Sequence, residues 1–129
     1  MPLSIHAETF EVKMLNGNAT GGMAFAPDFL SLKPGDTVKF FATQRGHNAA
    51  TIKDFLPKGA APFKGKINQE VSVTFTEEGF YGIMCTPHYD MGMVMVVRVG
   101  DAPLSQMEMP GDMRPGTAKR IGQIIERNQ

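Results

Sequence analysis

"GFYGIMCTPHYDMGMVMVV", residues 79–97, combines two strand-like apolar segments with a short loop that carries sulfur and nitrogen donors. The loop begins with Cys85, the only cysteine of the chain; His88 follows three residues later and Met93 five residues after that. A loop can fold several side chains toward one point, whereas a strand directs alternate side chains to opposite faces of its sheet. We therefore predict a β-rich fold with a cluster of donor side chains at one end.

The first hundred residues contain short strand-like segments separated by turns, and no long helical pattern interrupts them. Residues 70–76 alternate between apolar and polar side chains, which is typical of a strand with one buried face. Residues 53–68 are rich in Pro, Gly and Lys and are predicted to form a long surface loop. The predicted strands are residues 9–15, 23–32, 37–43, 70–76, 79–85 and 93–100. Many short strands at this spacing favour a β-sandwich or a barrel.

The C-terminal residues 101–129 contain no strand pattern and show helical spacing instead. Pro115 is a suitable first residue of a helix. The apolar residues that recur after it at helical spacing are Ala118, Ile121 and Ile125. We predict two helices in this part of the chain, a short one near residues 103–109 and a longer one near 116–127.

Length and composition restrict the class of protein. A chain of 129 residues suits one domain, which we place at residues 1–129, with a sandwich at about 5–100 and a helical appendage at about 101–129. The 13 basic residues balance the 13 acidic ones, which argues against a nucleic-acid partner. The single cysteine excludes an intramolecular disulfide. No apolar run has membrane-spanning length, so we expect no membrane insertion. The N-terminus lacks the layout of a signal peptide, so the protein is either cytoplasmic or exported and present in mature form.

The pattern Cys-x-x-His-x4-Met, at Cys85, His88 and Met93, predicts a metal site. A thiolate, an imidazole and a thioether together suit copper in both of its oxidation states. Calcium and magnesium prefer oxygen ligands and are excluded. Zinc sites seldom include methionine, and structural zinc sites usually contain more cysteines.

A fourth ligand is predicted from the position of His47. The chain has three histidines, and His6 is expected to be an exposed residue of the N-terminus. His47 lies just after the predicted strand 37–43, and Gly46 allows the backbone to turn there. Two imidazole nitrogens and a thiolate would then form a trigonal plane, with a methionine sulfur as a long axial ligand. Such a site leaves no position for a substrate, which favours an electron carrier over an enzyme.

The segments "GHN" and "CTPHYDMGM" together resemble the cupredoxins, the family of small type 1 copper proteins. The similarity to one bacterial branch covers almost the whole chain, including "LKPGDTVKF", "GAAPFKGKIN" and "VTFTEEGFYGIMCTPHY". It implies an eight-stranded Greek-key β-sandwich with two C-terminal α-helices, and one copper that cycles between Cu(II) and Cu(I). It also implies a soluble, monomeric periplasmic carrier in a mature form without its leader. This carrier would take electrons from an upstream donor and pass them to a copper nitrite reductase in denitrification.

The family's copper ligands match His47, Cys85, His88 and Met93. The resemblance also decides between the methionines of the loop, because the family's axial ligand matches Met93 and leaves Met91 as a neighbour. Redox partners are expected to dock transiently near His88.

Three neighbouring positions take roles from the resemblance. Asn48 matches an asparagine that ties the two ligand-bearing loops together, and its backbone N–H is expected to hydrogen-bond the sulfur of Cys85. Pro87 matches a proline that removes a competing N–H donor near that sulfur. Met23 matches a methionine that packs against the exposed histidine ligand, here His88.

Two positions depart from the family pattern and make the surroundings of the copper less positive. Many relatives have Gly where Asp90 stands and Lys where Met84 stands. Cations that remain available for docking to an acidic partner are Lys13, Arg45, Lys53, Lys58 and Lys64.

Two other functions are compared with the electron carrier. A periplasmic copper chaperone or storage protein would hold and exchange Cu(I), and would form no stable, strongly coloured Cu(II) site. A thiol enzyme would use Cys85 as nucleophile and His88 as base. The sequence offers neither an orienting acid nor an oxyanion-hole signature for such an enzyme, so we expect no enzyme activity.

Overall fold

The computed structural model describes residues 7–19 and 21–129, and in this part of the chain eight strands form two sheets of four. His6 and the predicted start of the sandwich near residue 5 lie outside the described residues. The strands are β1 (Thr9–Asn18), β2 (Gly21–Ala26), β3 (Phe29–Leu32), β4 (Asp36–Phe41), β5 (Ala50–Thr51), β6 (Val71–Phe75), β7 (Gly79–Met84) and β8 (Val94–Val99). The predicted eight-stranded β-sandwich is thereby confirmed.

The strand order places the 85–93 loop at one end of the second sheet. The first sheet has the order β2-β1-β4-β6 and the second the order β3-β8-β7-β5. The pairs β1–β4 and β3–β8 are parallel, and the other pairs are antiparallel. In the β7–β8 hairpin, Met84 pairs with Val94, and the Cys85 N–H donates to the Met93 carbonyl at 3.0 Å. Both ends of the loop are thus held by the hairpin itself.

Strand β8 is buried on both faces, which explains its unbroken apolar sequence. Met95 and Val97 pack into the core between the two sheets, together with Cys85. Val94 and Val96, which point the other way, pack against the C-terminal helix. A strand covered on both faces has no need for the polar alternation of a half-exposed strand.

Only one of the two predicted α-helices is present in the described residues. Helix α1 spans Pro115–Asn128 and agrees with the prediction near 116–127. The predicted helix near 103–109 is wrong, because only a 3₁₀ turn, Leu104–Gln106, forms there. Pro110 lacks an N–H group and disfavours helical geometry at the residue before it, so a helix in this segment is not expected to reach residue 109. No described helix has both the length and the apolar character that a membrane crossing requires.

The predicted long loop at residues 53–68 connects β5 to β6 and contains no regular helix or strand. It is not entirely a surface loop, because Phe55 is only 2% exposed. A Cβ atom at Gly82 would lie 2.5 Å from the Phe55 ring, so the ring packs directly on the backbone of β7. The assignment of residues 1–129 to one domain stays a prediction.

Candidate metal centre

Three of the four predicted ligands meet at one end of the sandwich. Cys85 Sγ lies 3.6 Å from His47 Nδ1 and 3.4 Å from His88 Nδ1, and the two Nδ1 atoms are 3.1 Å apart. Among the described His, Cys, Asp and Glu residues, these three form a group that could hold a metal ion. His47 and Cys85 are fully buried, whereas His88 is half-buried.

The size of this triangle fits a metal ion. The centre of a triangle with these sides lies about 2 Å from each corner. This matches a metal–nitrogen bond of about 2.0–2.1 Å and is slightly shorter than a metal–sulfur bond of about 2.3 Å, as both are found in zinc sites. Two imidazoles and a thiolate in one plane are the donor set of a type 1 copper site. The chemistry and the geometry of the residues therefore agree on the same metal.

The fourth predicted ligand, Met93, is fully buried in the core cluster that contains Cys85. Its backbone is fixed on both sides, because its carbonyl accepts from the Cys85 N–H and its own N–H donates to the His88 carbonyl at 3.2 Å. Met91 is 58% exposed and does not belong to this core cluster. Bonding of the Met93 sulfur to the metal stays a prediction.

Local backbone geometry brings His47 and His88 to the same point. Gly46 has φ +95°, a left-handed conformation that favours glycine, and its N–H donates to Asn68 Oδ1 at 2.6 Å. The Asn68 N–H in turn donates to the His47 carbonyl at 2.9 Å. His88 lies in a 3₁₀ turn, Thr86–Met91, which ends at the left-handed Gly92.

Asn48 joins the two ligand-bearing segments, as the resemblance implied. Its Oδ1 accepts from the Thr86 N–H at 2.7 Å, and its Nδ2 donates to Thr86 Oγ1 and to the Gly65 carbonyl, both at 3.1 Å. The asparagine is 1% exposed, so these bonds are shielded from water. The segment after β4 and the 85–93 loop are therefore held in one relative position.

Asn16 contacts a predicted ligand, and the sequence did not reveal this contact. The Nε2–H of His47 donates to Asn16 Oδ1 at 2.8 Å, which leaves Nδ1 free of a proton and directed at the site. Such a bond on the outer nitrogen fixes the tautomer and the orientation of a metal-binding imidazole. In the sequence, Asn16 belongs to "NGN", which indicates a turn and gives no sign of a contact with residue 47.

Replacing Asn16 by alanine is expected to weaken copper binding about tenfold, because loss of an outer-sphere partner leaves the imidazole without a fixed orientation. Competition for Cu(II) with a chelator of known affinity measures this loss. The matched control is Asn16→Asp, which keeps an acceptor oxygen and should retain most of the affinity. Equal losses in both variants would show that the bond to His47 is not the cause.

Burial shifts the pKa values of two predicted ligands, Cys85 and His47. Burial raises the pKa of the Cys85 thiol, while hydrogen bonds from the backbone N–H groups of Asn48 and His88 act in the opposite direction. The bond from Asn48 agrees with the resemblance. Burial and the neighbouring His88 lower the pKa of His47. At neutral pH the metal-free site therefore contains a neutral thiol and a neutral His47.

Copper affinity is expected to increase about tenfold per pH unit around neutrality, because the Cys85 thiol must release one proton to become a ligand. The raised pKa of Cys85 keeps this dependence in force above pH 7, whereas the lowered pKa of His47 means that this imidazole has no proton to release there. Cu(II) titrations from pH 6.5 to 8, with a pH indicator in weak buffer, measure the proton release. An affinity independent of pH would contradict this assignment.

Met23 and Pro87 are the other two positions that take roles from the resemblance. Met23 is half-buried and packs against the core cluster that contains Cys85 and Met93; its contact with His88 stays a prediction. Pro87 is exposed. Asp90, the carboxylate of the loop, pairs with Arg114 at 3.3 Å, and both side chains are about two-thirds exposed. An exposed pair of this kind contributes little to stability, but it offsets the negative charge near the site.

Residues 12–100 match the sequence model of a family described as copper binding proteins of the plastocyanin/azurin type. The pseudoazurin of Paracoccus pantotrophus is 50% identical over 97 residues, which cover 75% of this chain and 67% of that protein. The matched region spans about two thirds of the length of three curated pseudoazurins, this one and two others. Copper as the cofactor is confirmed by the description of the family.

Solved structures of pseudoazurins match over nearly the whole chain. The pseudoazurin of Methylobacterium extorquens AM1 has a TM-score of 0.85 at 42% identity, covering 94% of this chain and 99% of that one. The native pseudoazurin of Hyphomicrobium denitrificans has a TM-score of 0.82 at 37% identity, covering 92% and 97%. The sandwich, the buried His–Cys–His triangle and these likenesses agree: the chain belongs to the plastocyanin/azurin family of copper-binding proteins and, within it, to the pseudoazurins.

Proposed function

We propose that this chain is a one-electron carrier in which His47, Cys85, His88 and Met93 hold a single copper ion. The observation that carries the proposal is the triangle of three ligand atoms, 3.1 to 3.6 Å apart, already formed by the folded chain. Bound there, copper would accept and release one electron by alternating between Cu(II) and Cu(I).

The surroundings of the triangle favour electron transfer over catalysis. Asn16, Asn48 and Asn68 fix the positions of the predicted ligands through hydrogen bonds, so little has to move when the charge of the site changes. His47 and Cys85 are buried and Met93 is covered by core residues. With Met93 as the fourth donor, the site would have no open position of the kind that catalytic metal sites keep for substrate.

Electrons are proposed to pass through the half-buried edge of His88. Around it lie apolar side chains that reach the surface, since Pro87 is exposed and Met91 is 58% exposed. A small apolar patch around an exposed ligand suits the brief, weak docking of redox partners. Cys85 and His47 are too deeply buried to offer a direct route.

Basic side chains next to this patch support docking to an acidic partner. A groove beside Pro87 is lined by Lys64, Lys66 and Ile67, and a second groove adds Lys53. We propose that these lysines steer the approach of partner proteins, an upstream donor and a copper nitrite reductase. A periplasmic location, a role in denitrification and a monomeric state belong to the same proposal and rest on the resemblance to bacterial relatives.

The visible absorption spectrum after addition of one equivalent of Cu(II) tests the carrier function. An intense thiolate-to-copper charge-transfer band that disappears on reduction and returns on oxidation supports it. A colourless protein that retains only Cu(I) or zinc would overturn it and favour a copper chaperone or storage protein.

Lys64→Glu is expected to slow electron transfer to an acidic partner about tenfold at low salt, because steered association depends strongly on local charge. The matched control is Lys33→Glu, which makes the same change of charge at an exposed position before β4, the end of that strand remote from His47. Stopped-flow mixing of the reduced protein with copper nitrite reductase measures both rates. The difference should shrink at high ionic strength, and equal slowing by the two variants would contradict a docking surface at Lys64.

A further inference from the structure

The start of helix α1 lies directly against the 85–93 loop. Thr117 is fully buried, and its Oγ1 donates to the Tyr89 carbonyl at 2.7 Å. The same carbonyl accepts the Gly92 N–H at 2.9 Å, in the turn that ends the loop. A Cβ atom at Gly92 would lie 3.5 Å from the Gly116 carbonyl oxygen. The hydroxyl of Thr117 thus holds the middle of the segment that carries His88.

Arg120, one turn further along α1, reaches a different strand at the same end of the sandwich. Its two terminal nitrogens donate to the carbonyls of Met23 at 2.8 Å and of Gly22 at 3.0 Å. Met23 has φ +50°, a left-handed conformation that is unfavourable for a residue with a side chain. Such a conformation persists only where surrounding contacts enforce it. The guanidinium of Arg120 supplies one of these contacts.

We propose that Thr117 and Arg120 are positioning residues for the metal centre. Thr117 fixes the loop that carries His88, and Arg120 fixes Met23, whose side chain packs against the cluster of Cys85 and Met93. Neither residue is among the predicted ligands, so both act through residues that they hold. The C-terminal helix is therefore a part of the metal centre as well as a cover for the second sheet. The effect on bound copper rests on the proposed function, whereas the effect on the loop does not.

Arg127 provides a matched control on the same helix. It bonds the nearly buried Asp28 with its two terminal nitrogens, at 3.3 and 2.6 Å, and so ties the other end of α1 to the sandwich. Arg127→Gln removes an anchor of the helix without touching the 85–93 loop or Met23. A loss of stability alone would appear in this variant as well.

Amide hydrogen exchange in the copper-free protein tests the loop. Thr117→Val keeps the shape of the side chain and removes the donor, and should accelerate exchange at Gly92 and Met93 about tenfold relative to the amides of β8. Thr117→Ser restores the hydroxyl and should restore protection. Protection unchanged in Thr117→Val, or lost equally in Arg127→Gln, would overturn the role of Thr117.

The absorption and electron paramagnetic resonance spectra of the copper-loaded protein test the centre. Thr117→Val and Arg120→Gln should change the relative intensities of the thiolate-to-copper bands, and Arg127→Gln should leave them unchanged. Arg120→Lys, which keeps the charge but cannot span both carbonyls, should fall between wild type and Arg120→Gln. Spectra identical to wild type in all variants would overturn the proposal. A wild-type protein without these bands would instead reject the copper carrier, and the exchange data would still decide the role of Thr117.

Discussion

Cys85→Ser is expected to abolish the visible thiolate-to-copper band completely and to remove reversible one-electron chemistry. The band requires a sulfur ligand, and Cys85 is the only cysteine of the chain. A serine hydroxyl does not ionise near neutral pH and is a poor ligand for Cu(I), which prefers soft donors. Absorption spectroscopy and voltammetry of the protein with one equivalent of Cu(II) measure both losses.

The fold should survive this substitution. Serine is slightly smaller than cysteine, and burial of its hydroxyl beside two imidazoles leaves hydrogen-bond partners available, so the expected cost is on the order of 1 kcal/mol. Circular dichroism and thermal unfolding of the metal-free proteins provide this comparison. The control is Met91→Leu, which changes an exposed sulfur of the same loop and should retain the full band. A coloured Cys85→Ser protein would show that the metal is held elsewhere.

Met93→Gln should keep copper bound and lower the reduction potential by about 60 mV or more, a tenfold shift in the one-electron equilibrium. An oxygen donor in the axial position stabilises Cu(II) relative to Cu(I). Met93→Leu, which removes the donor and keeps the apolar volume, should shift the potential in the opposite direction. Voltammetry of the three proteins at one pH gives the comparison.

Met95 supplies the matched control for this series. Both methionines are fully buried in the same core cluster, two residues apart, but only Met93 lies in the predicted ligand set. Met95→Leu should therefore leave the potential at its wild-type value while costing under about 1.5 kcal/mol of stability, as volume-conserving core exchanges do. Equal shifts from Met93→Leu and Met95→Leu would mean that packing, and no axial bond, sets the potential.

The β-strands and the loop that carries Cys85, His88 and Met93 were predictable from the sequence because both depend on short-range patterns. The β7–β8 hairpin is encoded by two apolar segments around one loop, and the loop itself contains Cys85 and His88. His47 was harder to assign, because its approach depends on the end of β4 and on the turn at Gly46. The donor side chains of the loop indicated that a further ligand was needed, and this was enough to predict His47 as that ligand.

Two other contacts between distant segments were not predictable. Asn16 and His47 are 31 positions apart and form one hydrogen bond, which no spacing rule anticipates. Phe55 enters the core from a segment whose Pro, Gly and Lys content indicated a surface loop, because the absence of a side chain at Gly82 makes room for it. For the short helix predicted near 103–109, the sequence did contain one local signal against it, since Pro110 disfavours helical geometry at Met109.

The two faces of strand β8 pack against different parts of the molecule and can therefore be changed separately. The even-numbered Val94 and Val96 pack in the cluster that includes helix α1, and the odd-numbered Met95 and Val97 pack in the core cluster that contains Cys85. A variant without α1 would need polar substitutions at Val94 and Val96, whereas Met95 and Val97 could stay unchanged. The new surface would be soluble, but the contacts of Thr117 and Arg120 would be lost with the helix. A variant without α1 would therefore need other contacts to hold the 85–93 loop before its copper spectra could match those of the full chain.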